Sequence, residues 1–199
     1  KIVLLIDGHY LMFRSWFGIP NPMINSNGIE VRAIYGFFNT TFRLLNTLNP
    51  THLAFVFDPK GPTFRNELYN EYKANRSETP EELKKQLEII TTKLPSTNIK
   101  SITVNKYEAD DVLGTIAKTL GDGNTKVLIY SGDSDLHQLI DDNIHIITTS
   151  RDGKIVEYNK NLINEMYDGL NPNQIIDFKS LTGDSSDNIP GIPGVGKKT

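Results

Sequence analysis

Four apolar runs in this 199-residue chain each lead into a carboxylate. Ile2–Ile6 ends at Asp7, Leu53–Phe57 at Asp58, Ile99–Val104 runs out shortly before Glu108, and Val127–Tyr130 stops just before Asp133 and Asp135. Continuous β-branched and aromatic runs are the pattern of strands buried on both faces, and parallel sheets bind ligands outside the carboxyl ends of such strands. Acids repeated at that edge pool negative charge in one place, and mutual repulsion makes the pool unstable without cations.

The strand-like runs at 2–6, 53–57, 99–104 and 126–130 alternate with helical stretches near 31–48, 81–94 and 108–120. The expected class is therefore α/β, with a mostly parallel central sheet flanked by helices. Ala109, Val112, Leu113, Ile116, Ala117 and Leu120 form one apolar helical stripe, which Gly121 ends. Residues 144–148 and 154–158, on either side of Arg151, Asp152 and Gly153, read as an antiparallel hairpin at one sheet edge. A further helix is expected at about 172–182. Residues 59–80 differ: Pro59, Gly61, Pro62 and Pro80 interleave with Phe64, Arg65, Tyr69, Tyr72, Lys73 and Arg76 and no period links them to the core. Connections of that length inside a compact domain are functional or mobile.

At 38% hydrophobic residues the chain supports one well-cored domain with room for a small appendage. No apolar run approaches the ~20 residues of a membrane helix, and no secretory leader is evident, so no membrane partner is expected. The absence of cysteine agrees with a reducing, cytoplasmic setting and removes thiolate zinc sites, disulfides and cysteine nucleophiles. A start at Lys1, directly inside an apolar run, reads as a fragment of a longer chain. The net charge of −3 argues against a polyanionic partner only superficially. Setting aside nine carboxylates assigned below to one site leaves 15 acidic against 21 basic residues, a balance of +6. A mildly basic shell around an acidic pit suits a metal-dependent enzyme acting on a polyanion.

Singly, each acid has a structural use: Asp7 and Asp58 as helix caps, Asp110 and Asp111 at a helix N-terminus, Asp184 and Asp187 in turns. Together they come from five segments, in tight groups: Glu108, Asp110 and Asp111; Asp133 and Asp135; Asp184 and Asp187. Capping does not require that coincidence. An all-oxygen pocket calls for hard divalent cations, Mg²⁺ or Mn²⁺, and so many carboxylates suit two ions about 4 Å apart, the arrangement that serves in-line displacement at phosphorus. Zinc is not expected, because His9, His52, His137 and His145 show no paired ligand spacing.

The strings Leu5-Ile-Asp-Gly-His-Tyr10, Phe55-Val-Phe-Asp58, Phe64-Arg65, Glu71-Tyr-Lys-Ala-Asn-Arg76, Tyr107-Glu-Ala-Asp-Asp111, Ser131-Gly-Asp-Ser-Asp-Leu136 and Gly183-Asp-Ser-Ser-Asp-Asn-Ile-Pro-Gly191 cover nearly the whole chain in order. They resemble the 5′–3′ exonuclease domain of bacterial DNA polymerase I, of the flap-endonuclease family within the PIN-like nucleases. The resemblance implies a structure-specific 5′ nuclease, cytoplasmic and nucleoid-associated, monomeric, acting on DNA with a 5′ end or flap at a duplex junction, with a polymerase domain as a covalent partner. It places Asp7, Asp58, Glu108 and Asp110 around one metal and Asp133, Asp135 and Asp187 around a second, with Asp111 and Asp184 in support. All nine positions are acidic.

The resemblance also puts Lys73 and Arg76 on a helix beside the metals as catalytic cations, where the charge pattern alone favours a solvated face with Glu67, Glu71 and Glu78 as partners. Arg65 joins them as a DNA contact. Tyr72, Tyr10 and Phe64 are candidates to stack on terminal bases, with Tyr10 and Phe64 equally suited to the core, while 59–80 resembles the family's arch or clamp. Gly191-Ile-Pro-Gly-Val-Gly-Lys-Lys-Thr199 is not a phosphate loop, since Lys198 stands where that motif needs serine or threonine and no strand precedes it. It resembles the opening of a helix-hairpin-helix type motif, in which Gly191, Gly194, Gly196, Lys197 and Lys198 and a bound monovalent cation such as K⁺ would contact duplex phosphates. The expected organisation is a catalytic domain over 1–182 and, over 183–199, the last metal loop with the start of this motif. Two other readings are weighed. An aspartyl-phosphate phosphatase would need an aspartate at His9; a DNA-binding fragment without catalysis leaves nine carboxylates facing a polyanion.

Overall fold

A computed structural model of the chain describes residues 1–150 and 152–196. Its elements are β1 (Ile2–Asp7), α1 (Gly8–Gly18), α2 (Arg32–Leu48), β2 (His52–Val56), α3 (Phe64–Leu68), α4 (Glu81–Lys93), β3 (Lys100–Ile102), α5 (Ala109–Leu120), β4 (Lys126–Tyr130), β5 (Ile144–Thr149), β6 (Ile155–Tyr158), α6 (Lys160–Met166), α7 (Ile175–Thr182), β7 (Gly183–Asp184) and β8 (Ile189–Pro190). The main sheet runs β3-β2-β1-β4-β5-β6. All its pairings are parallel except β5–β6, the expected edge hairpin. Arg151 of its turn lies outside the described residues.

Side chains alternate across each central strand, so the sheet feeds two cores. Val3, Leu5, Val127 and Ile129 pack with Val112, Leu113 and Ala117 of α5 and with Ile163 and Ile175. Leu4, Ile6, Phe55, Leu128 and Tyr130 pack with Leu11, Met12, Phe37, Leu44 and Leu83 of α1, α2 and α4. Each fully buried large side chain contributes about 1.5–3 kcal/mol, which is why these runs carry no polar residue. Strand order reverses between β1 and β4, and the chain leaves these neighbours toward opposite faces. A crevice opens there at their carboxyl ends.

Three helices lie outside the expected pattern, among them α3, a single short helix within 59–80. In α1 the residues following Asp7 show only a weak amphipathic stripe, and α6 is a single short helix of 7 residues. The third strand is trimmed from 99–104 to Lys100–Ile102. Residues 71–76, expected on a helix, form consecutive turns instead: Lys73 takes a left-handed backbone, φ 58°, and its N–H donates to Asp187 O at 3.0 Å rather than along a helix.

No local side chain caps the start of α2 at Val31. Gln86, reaching from α4, does so instead: its Oε1 accepts from Ala33 N–H at 3.0 Å and Ile34 N–H at 3.2 Å. Gln86→Leu leaves two buried N–H groups unpaired and is expected to cost about 1–3 kcal/mol, read from chemical denaturation at unchanged m-value.

Candidate metal centre

Asp7 ends β1 and caps α1, accepting from Tyr10 N–H at 2.9 Å and, on its other oxygen, from Ser131 Oγ at 3.0 Å. Asp58, just past β2, accepts from Ala109 N–H at 2.7 Å, so it satisfies the first turn of α5 from a different segment. Glu108 precedes α5, with its own N–H donating to Asp111 at 2.9 Å. Asp133 follows β4 and accepts from Asp135 N–H at 2.9 Å at the start of a 3-10 turn. Three helical N-termini thus aim their partial positive charge at one crevice. Asp7, Asp58, Glu108, Asp110 and Asp133 line a cavity of about 370 Å³ there, with His9, Lys73 and Arg76. Glu108 and Asp110 also border an adjoining cavity of about 440 Å³ lined by Asp111, Asp135 and Asp187 with Arg65 and Tyr72.

The acids differ in how their charge is met. Arg65 grips Asp111 bidentately at 2.7 and 2.8 Å, Lys73 donates to Glu108 at 2.9 Å, and Arg76 donates to Asp187 at 2.6 Å. Lys179 donates to both Asp135 and Asp184. Among the described residues no lysine or arginine pairs with Asp7, Asp58, Asp110 or Asp133. His9 Nδ1 lies 3.4 Å from Asp58, but the same nitrogen accepts Asp58 N–H at 3.1 Å, which places the ring proton on Nε2 and leaves the imidazole neutral. Burial also holds the His9 pKa below its usual value, against the pull of Asp58.

The electrostatic consequence falls on the uncompensated acids. Burial, with the charges of Asp58 and Asp133 and against the hydrogen bonds of Tyr10 and Ser131, pushes Asp7 up to about 7. Burial followed by Asp133, Asp7 and Asp58 pushes Asp110 well above the usual carboxylate range, and no donor reaches it among the described residues. Burial would also raise Asp184, but Ser186 and Lys179 outweigh it and hold that group low. The donor set is all oxygen and over-negative, as a hard divalent cation requires. As they stand, no three such side chains among the described residues converge tightly enough to enclose an ion. Five of the nine are drawn toward lysine or arginine instead.

Several expected DNA contacts have structural partners in this arrangement. Tyr72 is buried, and its hydroxyl donates to Glu108 at 2.9 Å and Asp187 at 3.0 Å, so its ring is not presented to a base. Tyr10 meets Tyr130 and hydrogen-bonds Thr148 at 2.8 Å, while Phe64 packs on Tyr107. Gly191 lies where an added Cβ would fall 2.3 Å from the Thr182 carbonyl carbon, so close packing of the β7–β8 pair requires glycine there. Gly194 has φ 82° and Gly196 is open around its Cα; Lys197 and Lys198 lie outside the described residues. Sequence reasoning missed Lys179, Ser131, His9 and Thr63, whose Oγ1 donates to Glu108 at 3.4 Å. Only Ser131, immediately past β4 beside Asp133, carried a positional signal.

The raised Asp7 pKa has a stability consequence. The unfolded chain releases this proton near pH 4 and the folded chain only near 7, so with chelator present the Asp7 contribution to stability falls as pH rises through that window. Asp7→Asn is expected to flatten the fall and to raise the melting temperature at pH 7.5 in EDTA, by about 2–4 °C per kcal/mol recovered. Melting curves of both proteins from pH 4 to 8 check this; parallel profiles would refute it.

Residues 2–168 match the family described as 5′-3′ exonuclease, N-terminal resolvase-like domain, and residues 170–199 match its C-terminal SAM fold. DNA polymerase I of Bacillus subtilis (strain 168) is 42% identical over 200 residues, covering 100% of this chain and 22% of the polymerase. That of Bacillus caldotenax is 39% identical, with 23% of its length covered. The chain thus spans under a quarter of these relatives. Among solved structures, T5 5′-exonuclease with divalent zinc ions bound superposes with a TM-score of 0.80 at 25% identity, covering 100% of this chain and 72% of that one. The catalytic core of Rad2 in complex with a DNA substrate, at 20% identity and a TM-score of 0.56 over 98% of this chain and 58% of that one, shares the fold. The chain belongs to the 5′-3′ exonuclease family.

Proposed function

We propose that the chain is a structure-specific 5′ nuclease that hydrolyses DNA phosphodiesters at a 5′ end or flap with two divalent cations, Mg²⁺ or Mn²⁺. The observation that carries this reading is the set of four carboxylates, Asp7, Asp58, Asp110 and Asp133, at the sheet's reversal point with no lysine or arginine among the described residues paired to them. Asp7, Asp58, Glu108 and Asp110 would hold one ion, and Asp133, Asp135 and Asp187 the other. Asp111, fixed by Arg65, and Asp184, fixed by Ser186, orient their neighbours. When bound, the ions supply an activated water and neutralise charge at phosphorus. Polymerase I relatives and the T5 flap endonuclease described in complex with DNA and metal ions, 25% identical with a TM-score of 0.78, support the reading.

Lys73 and Arg76 reach the cavity from the 59–80 segment, where their charges would orient and polarise the scissile phosphate. No protein nucleophile is needed. We assign 1–182 to catalysis, with 59–80 as the arch or clamp, and 183–199 to the last metal loop and the start of a hairpin that would take duplex phosphates with K⁺. A monomer working in the bacterial cytoplasm at the nucleoid, joined to a polymerase domain, completes the proposal. No described helix is long and apolar enough to cross a membrane.

A 5′-labelled flap duplex should yield short products with Mg²⁺ or Mn²⁺ and none with chelator or with Asp135→Ala. A chain carrying its full hairpin region that cleaves no flap, nicked or 5′-recessed substrate with either metal would sink the proposal in favour of DNA binding alone. Lys73→Ala is expected to lower the cleavage rate by about 10²–10³-fold, the usual loss for one charge-stabilising group. DNA affinity should change far less; a solvated lysine would leave both unchanged.

A further inference from the structure

Lys179 projects from α7 and joins two segments that are far apart in sequence. Its ammonium donates to Asp135, in the turn after β4, and to Asp184 in β7 at 2.9 Å. The side chains of Lys179 and Asp184 are 23% and 18% exposed, so this is not a freely solvated surface pair. One positive charge faces two negative ones here, and a divalent cation would balance them where lysine does not. Ammonium and ion compete for the same carboxylate oxygens.

The backbone around this contact is fixed. Gly183 turns the chain at φ 75°, and an added Cβ there would meet Gly191 N at 2.3 Å, so β7 and β8 leave no room for the loop to slide past itself. The Lys179 ammonium, at the end of a flexible four-carbon stem, can leave this contact without moving the packed backbone of β7 and β8. At the other end of the crevice no lysine or arginine among the described residues pairs with Asp7, Asp58 or Asp110, and Lys73 holds only Glu108 of that set.

We propose that Lys179 is a positioning residue, a resident counter-cation that holds Asp135 and Asp184 together and yields to a divalent ion. Cations then bind in order, first among Asp7, Asp58 and Asp110, and afterwards among Asp133, Asp135 and Asp187 as Lys179 lets go. The inference rests on the two-ion reading above. Calorimetric titration of the whole chain with Mn²⁺, without DNA, is expected to resolve two unequal events. In Lys179→Met the weaker event should tighten about fivefold, the worth of one competing ion pair, with the stronger unchanged. Lys179→Arg should retain the wild-type profile. A weaker event that stays the same or loosens in Lys179→Met, or two equal events in the wild type, would overturn the ordering; no Mn²⁺ binding at all would overturn the two-ion reading instead. If Lys179→Met does not fold, ¹³C-labelled lysine in the wild-type chain decides: the Lys179 resonance should move during the second event, and movement during the first, or none, overturns the proposal.

Discussion

Like charges crowded at the carboxyl ends of β1, β2 and β4 are the constraint around which this molecule is arranged. Parallel strands with a reversal of order between β1 and β4 bring Asp7 and Asp133 to one crevice, and α5 adds Glu108 and Asp110 from its first turn. The fold offsets the repulsion in part. The N-termini of α1 and α5 and the 3-10 turn after Asp133 each present backbone N–H groups, an effect of about 0.3–1 kcal/mol per helix end. Hydrogen bonds from Tyr10, Ser131 and Ala109 add to it. Burial first, and then the neighbouring carboxylates, still displaces Asp7 and Asp110 upward. A folded protein keeps such a cost where its removal by a ligand is useful.

Two segments without regular structure are clasped to each other at the outer side of that crevice. Lys73 N–H donates to Asp187 O, Asn75 Nδ2 to Ser185 O at 2.7 Å, Asn188 Nδ2 to Glu71 O at 2.7 Å, and Tyr72 bridges Glu108 and Asp187. Lys73 and Asn188 both adopt left-handed backbone, at φ 58° and 59°. Residues 71–76 and 185–188 consequently fix each other's shape. The cations of the first segment and the carboxylates of the second therefore cannot be moved independently, and any shift of Lys73 and Arg76 also pulls on Asp187.

The central sheet was legible because burial on both faces forces long apolar runs, and each run points at its acid. Helix α5 was legible for the same reason, its stripe facing one core. The start of α2 was read to within one residue, but its cap was not, because Gln86 supplies it from 53 residues away and pairings across that distance leave no local mark. Lys179 escaped for a related reason: in the sequence it is one charged residue on a short helix, and its meaning lies in Asp135, 44 residues distant. Residues 71–76 read as helical by resemblance, yet an exposed turn whose N–H groups find partners in another loop has no need of a helix. What periodicity encodes is burial; the site's counterions sit where periodicity ends.

Formal charge ties these levels together. At −3 the chain should be a poor partner for a polyanion, and the negative charge is concentrated where a phosphate would have to enter. On the two-ion reading, two divalent cations add four positive charges and carry the formal total from −3 to +1, with the whole change delivered at the crevice. On that reading the rest of the chain, with 21 basic against 15 acidic residues, would attract DNA without an opposing centre, and Lys73 and Arg76 would give up Glu108 and Asp187 to face phosphate. Metal and DNA would each strengthen the binding of the other, by thermodynamic reciprocity, with no conformational relay beyond the exchange of ion-pair partners.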